Sequence, residues 1–340
     1  MGIVALDGPP PDALVAFLDA SVTPRGPAHW RWKYANGTPD RPSGFYHQTD
    51  DGAVTGFIGL MSTTLHLAAG PVAAAWLVDW VSAESQGAIG VGVGLLRKAE
   101  AATPLRLTLG GSAVARDIYT KLRWGQVPGA GVWVLRLSAR NLATRGPMRR
   151  WPVLRPAARL AGSVARLWWR VPTPRHTGLT LRAAERVPPS YDAVWEARRA
   201  EFAPVMDRGS AELNRKFADY PTGGYRILLV EHGGRTVGHV VVRSDETHGF
   251  RRGRIVDLLW PRGDAVMAVA LVHEAAWLLQ EAGVDYIECT ASVPELDAAL
   301  RARRFTRVQT LPLFYRRPPK EVGEPQGWYV TYLDCDRAYR

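Results

Sequence analysis

A glycine-rich turn between an apolar stretch and an amphipathic stretch carries the residues best suited to chemistry. Residues 79–96 read as the end of a strand bearing a carboxylate, Asp79, followed by a helix start with glycines at Gly87, Gly90, Gly92 and Gly94. Glycine lets the backbone approach an anion closely, and the free N–H groups at a helix N-terminus can hold a pyrophosphate. The spacing predicts a phosphate-binding turn, and close helix packing is the alternative explanation for the glycines.

Two stretches of the chain repeat the same order of elements. Residues 30–59 and 213–242 each contain a basic-aromatic pair, a turn with Gly or Pro, and two strands joined by a tight polar turn, which indicates a hairpin. Each half then has an apolar strand bearing an acid, Asp79 or Asp257, and later a strand and a short helix. The long helices that follow the acid-bearing strands are predicted at 91–102 and 265–282. The repeat predicts a duplicated α/β unit with a mixed sheet.

The chain's positive charge is concentrated in one segment. Its 340 residues leave room for two domains, and 46% hydrophobic with 22% charged residues exclude a disordered or fibrous protein. The formal net charge is +11, yet no acidic residue occurs between Asp117 and Glu185, where thirteen lysines and arginines lie. Such a stripe attracts a polyanion or a phosphate-rich ligand.

A segment rich in Arg and Pro, 144–177, separates the two repeats. After Pro156, apolar residues fall on one face at helical spacing and arginines fall on the opposite face, which predicts a basic amphipathic linker helix. The helix either packs its apolar face on a domain or contacts an anionic lipid or polymer surface. The predicted division is an N-terminal domain at 1–143, the linker at 144–177 and a C-terminal domain at 178–340.

Cysteines, histidines and apolar runs exclude several classes of protein. Only two cysteines occur, Cys289 and Cys335, so neither a disulfide framework nor a four-cysteine metal site is available, and the histidines lack ligand spacing. The N-terminus lacks a basic start and a long apolar run, and the apolar stretch 68–81 is too short to span a bilayer. We therefore expect a cytoplasmic protein without a metal. The closing stretch 328–336 alternates as a strand.

This order of elements resembles the GNAT superfamily of acyl-CoA N-acyltransferases. The family's motif is a strand ending in Val-x-Pro-Glu, then Arg/Gln-Gly-x-Gly-x-Gly/Ala, then a helix beginning with two apolar residues; residues 90–96 match its helix side. Residues 112–125 resemble the later pattern Asn-x-x-Ala-x-x-x-Tyr-x-Lys-x-Gly-Phe. The resemblance covers 27–137 closely and 179–317 more loosely. It implies two tandem GNAT-like domains.

The resemblance implies an acyl-CoA site in the N-terminal copy, with acetyl-CoA or another acyl-CoA as co-substrate. Asp79 lies on the strand that edges the family's cleft, where a carboxylate often serves as base, and Tyr119 matches the tyrosine that faces the CoA sulfur. A structural carboxylate and a core aromatic are the alternatives for these two residues. The implied CoA-binding residues are Val81, Gln86, Gly87, Gly90, Val91, Gly92 and Gly94. The implied acceptor-side residues, which could instead form core, are Trp30, Trp32 and Tyr34.

The sequence departs from the family's pattern in both copies. In the first copy one extra residue separates Gln86 from Gly90, Ala83 replaces the proline, and the Gly-aromatic ending is rearranged. In the second copy the matching turn, 261–266, lacks Gly-x-Gly and places Asp264 where a pyrophosphate would lie. Because an acid repels phosphate, we expect the second copy not to bind CoA.

The resemblance implies an N-acyltransferase that moves an acyl group, acetyl as first choice, to the primary amine of a small molecule such as an amino sugar. One alternative is an aminoacyl-tRNA-dependent aminoacyltransferase of the peptidoglycan-bridge type, in which the acid-free stretch 118–184 would hold RNA phosphates. The other is a non-catalytic GNAT-like binding or scaffold protein. tRNA is a partner only in the first alternative, DNA is not expected, and the sequence does not determine the oligomeric state.

Overall fold

The structure, a computed structural model, describes residues 2–83, 88–138, 170–173, 178–316 and 327–339. Its strands are β1 (Gly2–Ala5), β2 (Gly44–Gln48), β3 (Val54–Leu67), β4 (Gly70–Ser82), β5 (Leu105–Leu109), β6 (Gly125–Arg136), β7 (Leu179–Ala184), β8 (Val205–Met206), β9 (Tyr225–His232), β10 (Arg235–Thr247), β11 (Phe250–Leu259), β12 (Tyr286–Ala291) and β13 (Thr306–Arg316). Its helices are α1 (Asp12–Ser21), α2 (Pro27–Lys33), α3 (Ala88–Ala102), α4 (Ala113–Lys121), α5 (Asp192–Phe202), α6 (Ser210–Leu213), α7 (Ala265–Glu281) and α8 (Pro294–Ala302). Gln86, Gly87 and most of the predicted linker helix lie outside the described residues.

The thirteen strands of the described residues form one mixed sheet, which confirms the predicted α/β class. Their order is β1-β2-β3-β4-β5-β13-β6-β12-β11-β10-β9-β7, and β8 pairs with β3. The last strands of the two repeats are exchanged, because β13 lies between β5 and β6 while β6 pairs with β12. The last strand of each repeat therefore pairs with strands of the other repeat. The division into domains at 1–143 and 178–340 stays a prediction.

Each repeat contains a pair of parallel strands that separate after a few residues. Residues 74–76 of β4 pair with 105–107 of β5, and residues 252–255 of β11 pair with 286–289 of β12. Beyond these pairs the strands run on without pairing to each other, which opens the sheet between them. We call the opening between β4 and β5 the first fork and that between β11 and β12 the second fork.

An irregularity in β4 places Asp79 at the first fork. The register between β3 and β4 shifts between Phe57 and Gly59, so that one β3 residue lies opposite both Asp79 and Trp80. Asp79 has a φ of +49°, a left-handed conformation that costs a non-glycine residue about 1–3 kcal/mol. Such a bulge bends its strand and re-aims a side chain. Here it bends β4 where the fork begins.

Residues 327–339, which we call the C-terminal segment, fill the second fork. The backbone N–H of Leu333 donates to the carbonyl of Val256 on β11 at 3.2 Å. On the β12 side, the Ser292 hydroxyl donates to the carbonyl of Trp328 at 2.5 Å and accepts from the N–H of Val330 at 2.7 Å. The second fork is therefore occupied by the protein's own chain.

The C-terminal segment does not form the strand that its alternating pattern predicts. It makes one isolated bridge, between Val205 and Tyr329, and then runs through turns to a 3₁₀ turn at Arg337–Tyr339. All of residues 328–336 are buried, so polar and apolar positions do not divide between a core face and a solvent face. Their backbone groups bond to the walls of the fork rather than to a strand ladder.

The start of α3 differs from its predicted position, whereas the helix predicted at 265–282 is confirmed as α7. α3 begins at Ala88, three residues before the predicted start, so Gly90, Gly92 and Gly94 lie in its first two turns. Glycine costs a helix about 1 kcal/mol relative to alanine, which favours a later start from sequence alone. Packing of α3 on β2, β3 and β4 overrides that preference. Among the described residues, no helix combines the length and apolar character needed to cross a membrane.

Candidate active site

The first fork holds a cavity of about 290 Å³. Its walls are β4 and β5 beyond their pairing, the end of α1, the helix α4, and part of the C-terminal segment. Polar and ionisable lining residues that could take part in chemistry are Asp79, Thr108, Tyr119, Asp336 and Arg337. The structure therefore brings together both predicted catalytic residues, Asp79 and Tyr119, at one opening of the sheet.

Asp79 is buried and is held by two neighbouring side chains of the first repeat. Its Oδ2 accepts hydrogen bonds from Lys33 Nζ at 2.5 Å and from the hydroxyl of Tyr34 at 2.6 Å. Lys33 Nζ also lies 3.5 Å from Oδ2 of Asp336, so it bridges two carboxylates. These contacts fix the orientation of the Asp79 carboxylate at the cavity wall. A carboxylate held in this way can accept a proton from a group that enters the cavity.

Tyr119 faces the same cavity from α4, a helix whose start is fixed by Ser112. The Ser112 hydroxyl accepts from the N–H of Ala115 at 3.2 Å and caps the helix. Burial raises the pKa of Tyr119 to about 12, although a hydrogen bond with Thr108 opposes that shift. The phenol therefore keeps its proton at neutral pH and can donate it. Its ring packs against Trp124, with centroids 4.7 Å apart.

A second cavity of about 190 Å³ continues the first between α3 and α4; we call it the apolar groove. The two cavities share four lining residues, Trp80, Val81, Ser112 and Ala115. Gly92 lines the α3 side of the groove, and its carbonyl accepts from the Trp80 indole N–H at 3.1 Å. An elongated ligand lying in the groove would reach the first cavity past Trp80 and Val81.

The predicted CoA-binding residues occupy different positions. Val81 and Gly92 line the apolar groove, and Val91 is half-buried on α3. Gly90 is exposed, with open space where a side chain would begin. A Cβ on Gly94 would lie 3.0 Å from Cδ1 at the flexible end of the Ile3 side chain on β1. The close-packing alternative and the phosphate-binding role of the turn both stay predictions.

The predicted acceptor-side aromatics lie behind Asp79. Trp30 is buried and its indole donates to Asp19 at 3.0 Å, while Trp32 packs edge-on against Tyr220 with centroids 5.0 Å apart. The Tyr34 hydroxyl donates a hydrogen bond to Asp79. None of the three is in the described lining of the first cavity. Their role in binding an acceptor stays a prediction.

Two residues of the first cavity, Asp336 and Arg337, were not predicted from the sequence. Both arrive from the C-terminal segment, more than 200 residues beyond β5 in the chain. No local pattern around them indicates a site, because their position depends on how the segment leaves the second fork. In that second repeat Asp264 is a helix cap: its side chain accepts from the N–H of Met267 at 2.8 Å.

The fold has counterparts among solved structures, whereas no protein-family model and no curated protein matches the sequence. A GCN5-related N-acetyltransferase from Anabaena variabilis is 12% identical, with a TM-score of 0.62 over 93% of this chain and 72% of that chain. An N-myristoyltransferase from Saccharomyces cerevisiae with bound myristoyl-CoA is 11% identical, with a TM-score of 0.61 over 96% and 83%. A conserved protein of unknown function from Enterococcus faecalis is 10% identical, with a TM-score of 0.57 over 90% and 69%. At these identities the likeness shows the fold alone, and this chain shares the fold of these N-acetyltransferase and N-myristoyltransferase structures.

Proposed function

We propose that the protein is an N-acyltransferase that moves an acyl group from acyl-CoA to the primary amine of a small molecule. The observation that carries this proposal is the contrast between the two forks. The first fork holds a cavity with Asp79 and Tyr119 in its wall and continues into the apolar groove, whereas the C-terminal segment fills the second. One reaction centre, in the first repeat, follows from that contrast.

The apolar groove is the proposed binding place for the pantetheine arm of the donor. Its lining is mainly apolar and includes Gly92 and Val93 in the second turn of α3, near the helix N-terminus, where backbone N–H groups favour phosphate. A solved structure of the same fold holds myristoyl-CoA, which supports an acyl-CoA donor. Acetyl-CoA is our first choice of donor, and an amino sugar is our first choice of acceptor class.

The lining side chains provide the two proton transfers that acyl transfer needs. As the acceptor nitrogen forms its bond to the acyl carbon, the Asp79 carboxylate takes a proton from that nitrogen. As the carbon–sulfur bond breaks, the Tyr119 hydroxyl gives its proton to the departing sulfur. Lys33 and Tyr34 hold Asp79 in place throughout. The bound acyl-CoA supplies the thioester carbonyl that is attacked.

Replacing Gly92 with glutamate is expected to abolish acyl-CoA binding. A Cβ at this position meets its nearest neighbour, the Trp80 indole nitrogen, at 3.6 Å, so the backbone accepts a side chain. The carboxylate would then project into the apolar groove and repel the donor's phosphates. Isothermal titration calorimetry with acetyl-CoA, longer acyl-CoAs and free CoA measures the affinity; we expect micromolar binding by the unmodified protein.

The matched control is Ala101→Glu, which adds the same charge to an exposed position at the other end of α3. It should bind acyl-CoA as the unmodified protein does. If the unmodified protein shows no saturable binding of any acyl-CoA, the proposed function is wrong.

A further inference from the structure

The C-terminal segment brings two opposite charges to the wall of the first cavity. Asp336 and Arg337 are adjacent in sequence, and both line the cavity. Asp336 lies toward α2, where its Oδ2 is 3.5 Å from Lys33 Nζ. Arg337 lies toward β5: a Cβ added to Gly110 would be only 2.8 Å from Arg337 Nη2. The two side chains therefore border different sides of the same space.

Hydrogen bonds to the backbone around Arg337 place the start of its side chain at the cavity. The carbonyl of Arg337 accepts from Arg254 Nη1 at 2.9 Å, and the carbonyl of Ala338 accepts from the Tyr225 hydroxyl at 2.7 Å. Gly110, with a φ of +82°, leaves room for the guanidinium against β5. Within the described part of the chain, the Arg337 guanidinium makes no ion pair with a carboxylate.

The opposite side of the cavity is acidic. Asp79 and Asp336 both lie within ion-pair distance of the Lys33 ammonium group, at 2.5 Å and 3.5 Å. Carboxylate oxygens accept hydrogen bonds from the N–H groups of an amine. A small molecule in this cavity thus meets carboxylates on one side and a guanidinium on the other.

Building on the acyl-transfer function proposed above, we propose that Arg337 binds an anionic group of the acceptor while Asp79 and Asp336 face its amine. The substrate class is an amine that also carries a carboxylate or a phosphate, such as an α-amino acid or a phosphorylated amino sugar. A guanidinium matches both anions because it donates two parallel hydrogen bonds to them. The donor's phosphates are assigned elsewhere, because Arg337 is not in the lining of the apolar groove.

The test compares matched pairs of amines that differ only in the anionic group. One arm titrates α-amino acids against their decarboxylated amines, and the other titrates glucosamine 6-phosphate against glucosamine, each with and without free CoA. In the full-length protein, the anionic member of one pair should bind about 10- to 100-fold more tightly. A preference in the first arm identifies an amino acid, and a preference in the second identifies a phosphorylated amino sugar.

Two variants test whether Arg337 causes the preference for the anionic member of a pair. Arg337→Gln should remove it, Arg337→Lys should keep part of it, and acyl-CoA affinity should stay unchanged in both. Arg235→Gln, which alters an exposed arginine at the start of β10, is the matched control and should keep the full preference.

The inference is overturned if both members of every pair bind equally to the unmodified protein, or if Arg337→Gln retains the preference. Because these titrations measure acceptor binding without a donor, they give a result whether or not acyl-CoA binds. A failure of the proposed function appears instead in the acyl-CoA titration, so the two failures are distinguishable.

Discussion

Replacing Arg208 with methionine is expected to lower the free energy of unfolding by about 3–5 kcal/mol. The side chain of Arg208 is fully buried and lies 3.1 Å from Asp257 and 2.7 Å from Asp334, both of which are also fully buried. Without the guanidinium, two carboxylates remain in the core with no cation between them. Urea unfolding of the variant and the unmodified protein measures the difference.

The expected loss is large because Asp257 and Asp334 both depend on Arg208; we call these three residues the buried network. Burial raises the pKa of Asp257, but the attraction of Arg208 and the hydrogen bond from His239 outweigh burial and hold that pKa below its usual value. Burial raises the pKa of Asp334 despite Arg208. In the variant both carboxylates should take up protons more readily in the folded state. The stability deficit should therefore be smaller at mildly acid pH than above neutrality.

Arg186→Met provides the matched control for this prediction. Arg186 and Asp219 form an exposed ion pair at 2.5 Å, and such pairs contribute about 0–1 kcal/mol. A loss at Arg208 no larger than the loss at Arg186 would contradict the prediction that the buried carboxylates depend on Arg208.

The network also shows that two matching strand positions have different surroundings in the two repeats. Asp257 occupies the position on β11 that Asp79 occupies on β4, each on the strand before the long helix. Asp257 is enclosed, with Thr331 of the C-terminal segment donating to it at 2.6 Å and His239 at 2.7 Å. Asp79 instead borders a cavity. The same strand position thus stabilises the fold in one repeat and faces the proposed reaction centre in the other.

Features set by local sequence were predictable from the chain alone. The hairpins, the acid-bearing strands and the helix α7 follow from periodicity and turn residues within windows of about 11–18 residues. The exchange of β6 and β13 was not predictable, because both are strands whose partners are chosen by tertiary pairing. That the C-terminal segment fills the second fork could not be predicted for a similar reason. Alternation in residues 328–336 predicts a strand, but because all of these residues are buried, the alternation does not indicate their structure.

The same contrast between local sequence patterns and long-range contacts applies to the residues of the site. Asp79 and Tyr119 lie in segments that the family resemblance covers, so their meeting at one cavity follows from the order of elements. The positions of Asp336 and Arg337 depend on the path of the C-terminal segment through the fold, and no local sequence pattern indicates them. Aromatic composition around Trp30 and Trp32 could not separate core from binding surface, since both uses favour the same residue types.

Replacing Tyr119 with phenylalanine is expected to lower kcat for acyl transfer by about 10²- to 10⁴-fold. The substitution removes only the hydroxyl, so the ring keeps its packing against Trp80, Trp124 and Phe314 and the cavity keeps its shape. Acyl-CoA affinity should therefore be unchanged, because the lost interaction acts as the sulfur departs rather than when the donor binds. Steady-state release of free thiol, with a separate calorimetric affinity, measures the two quantities.

The pH dependence and a control variant test whether Tyr119 acts as the proton donor. Because burial raises its pKa to about 12, its hydroxyl stays protonated through neutral and moderately alkaline pH. Its ionisation should therefore cause no fall in rate over that range, and the defect of the phenylalanine variant should be constant across it. Tyr46→Phe removes a hydroxyl on β2 that lies outside the described cavity lining and should leave kcat unchanged. An unchanged kcat in Tyr119→Phe would instead make Tyr119 a core aromatic and leave the departing thiolate to be protonated by water.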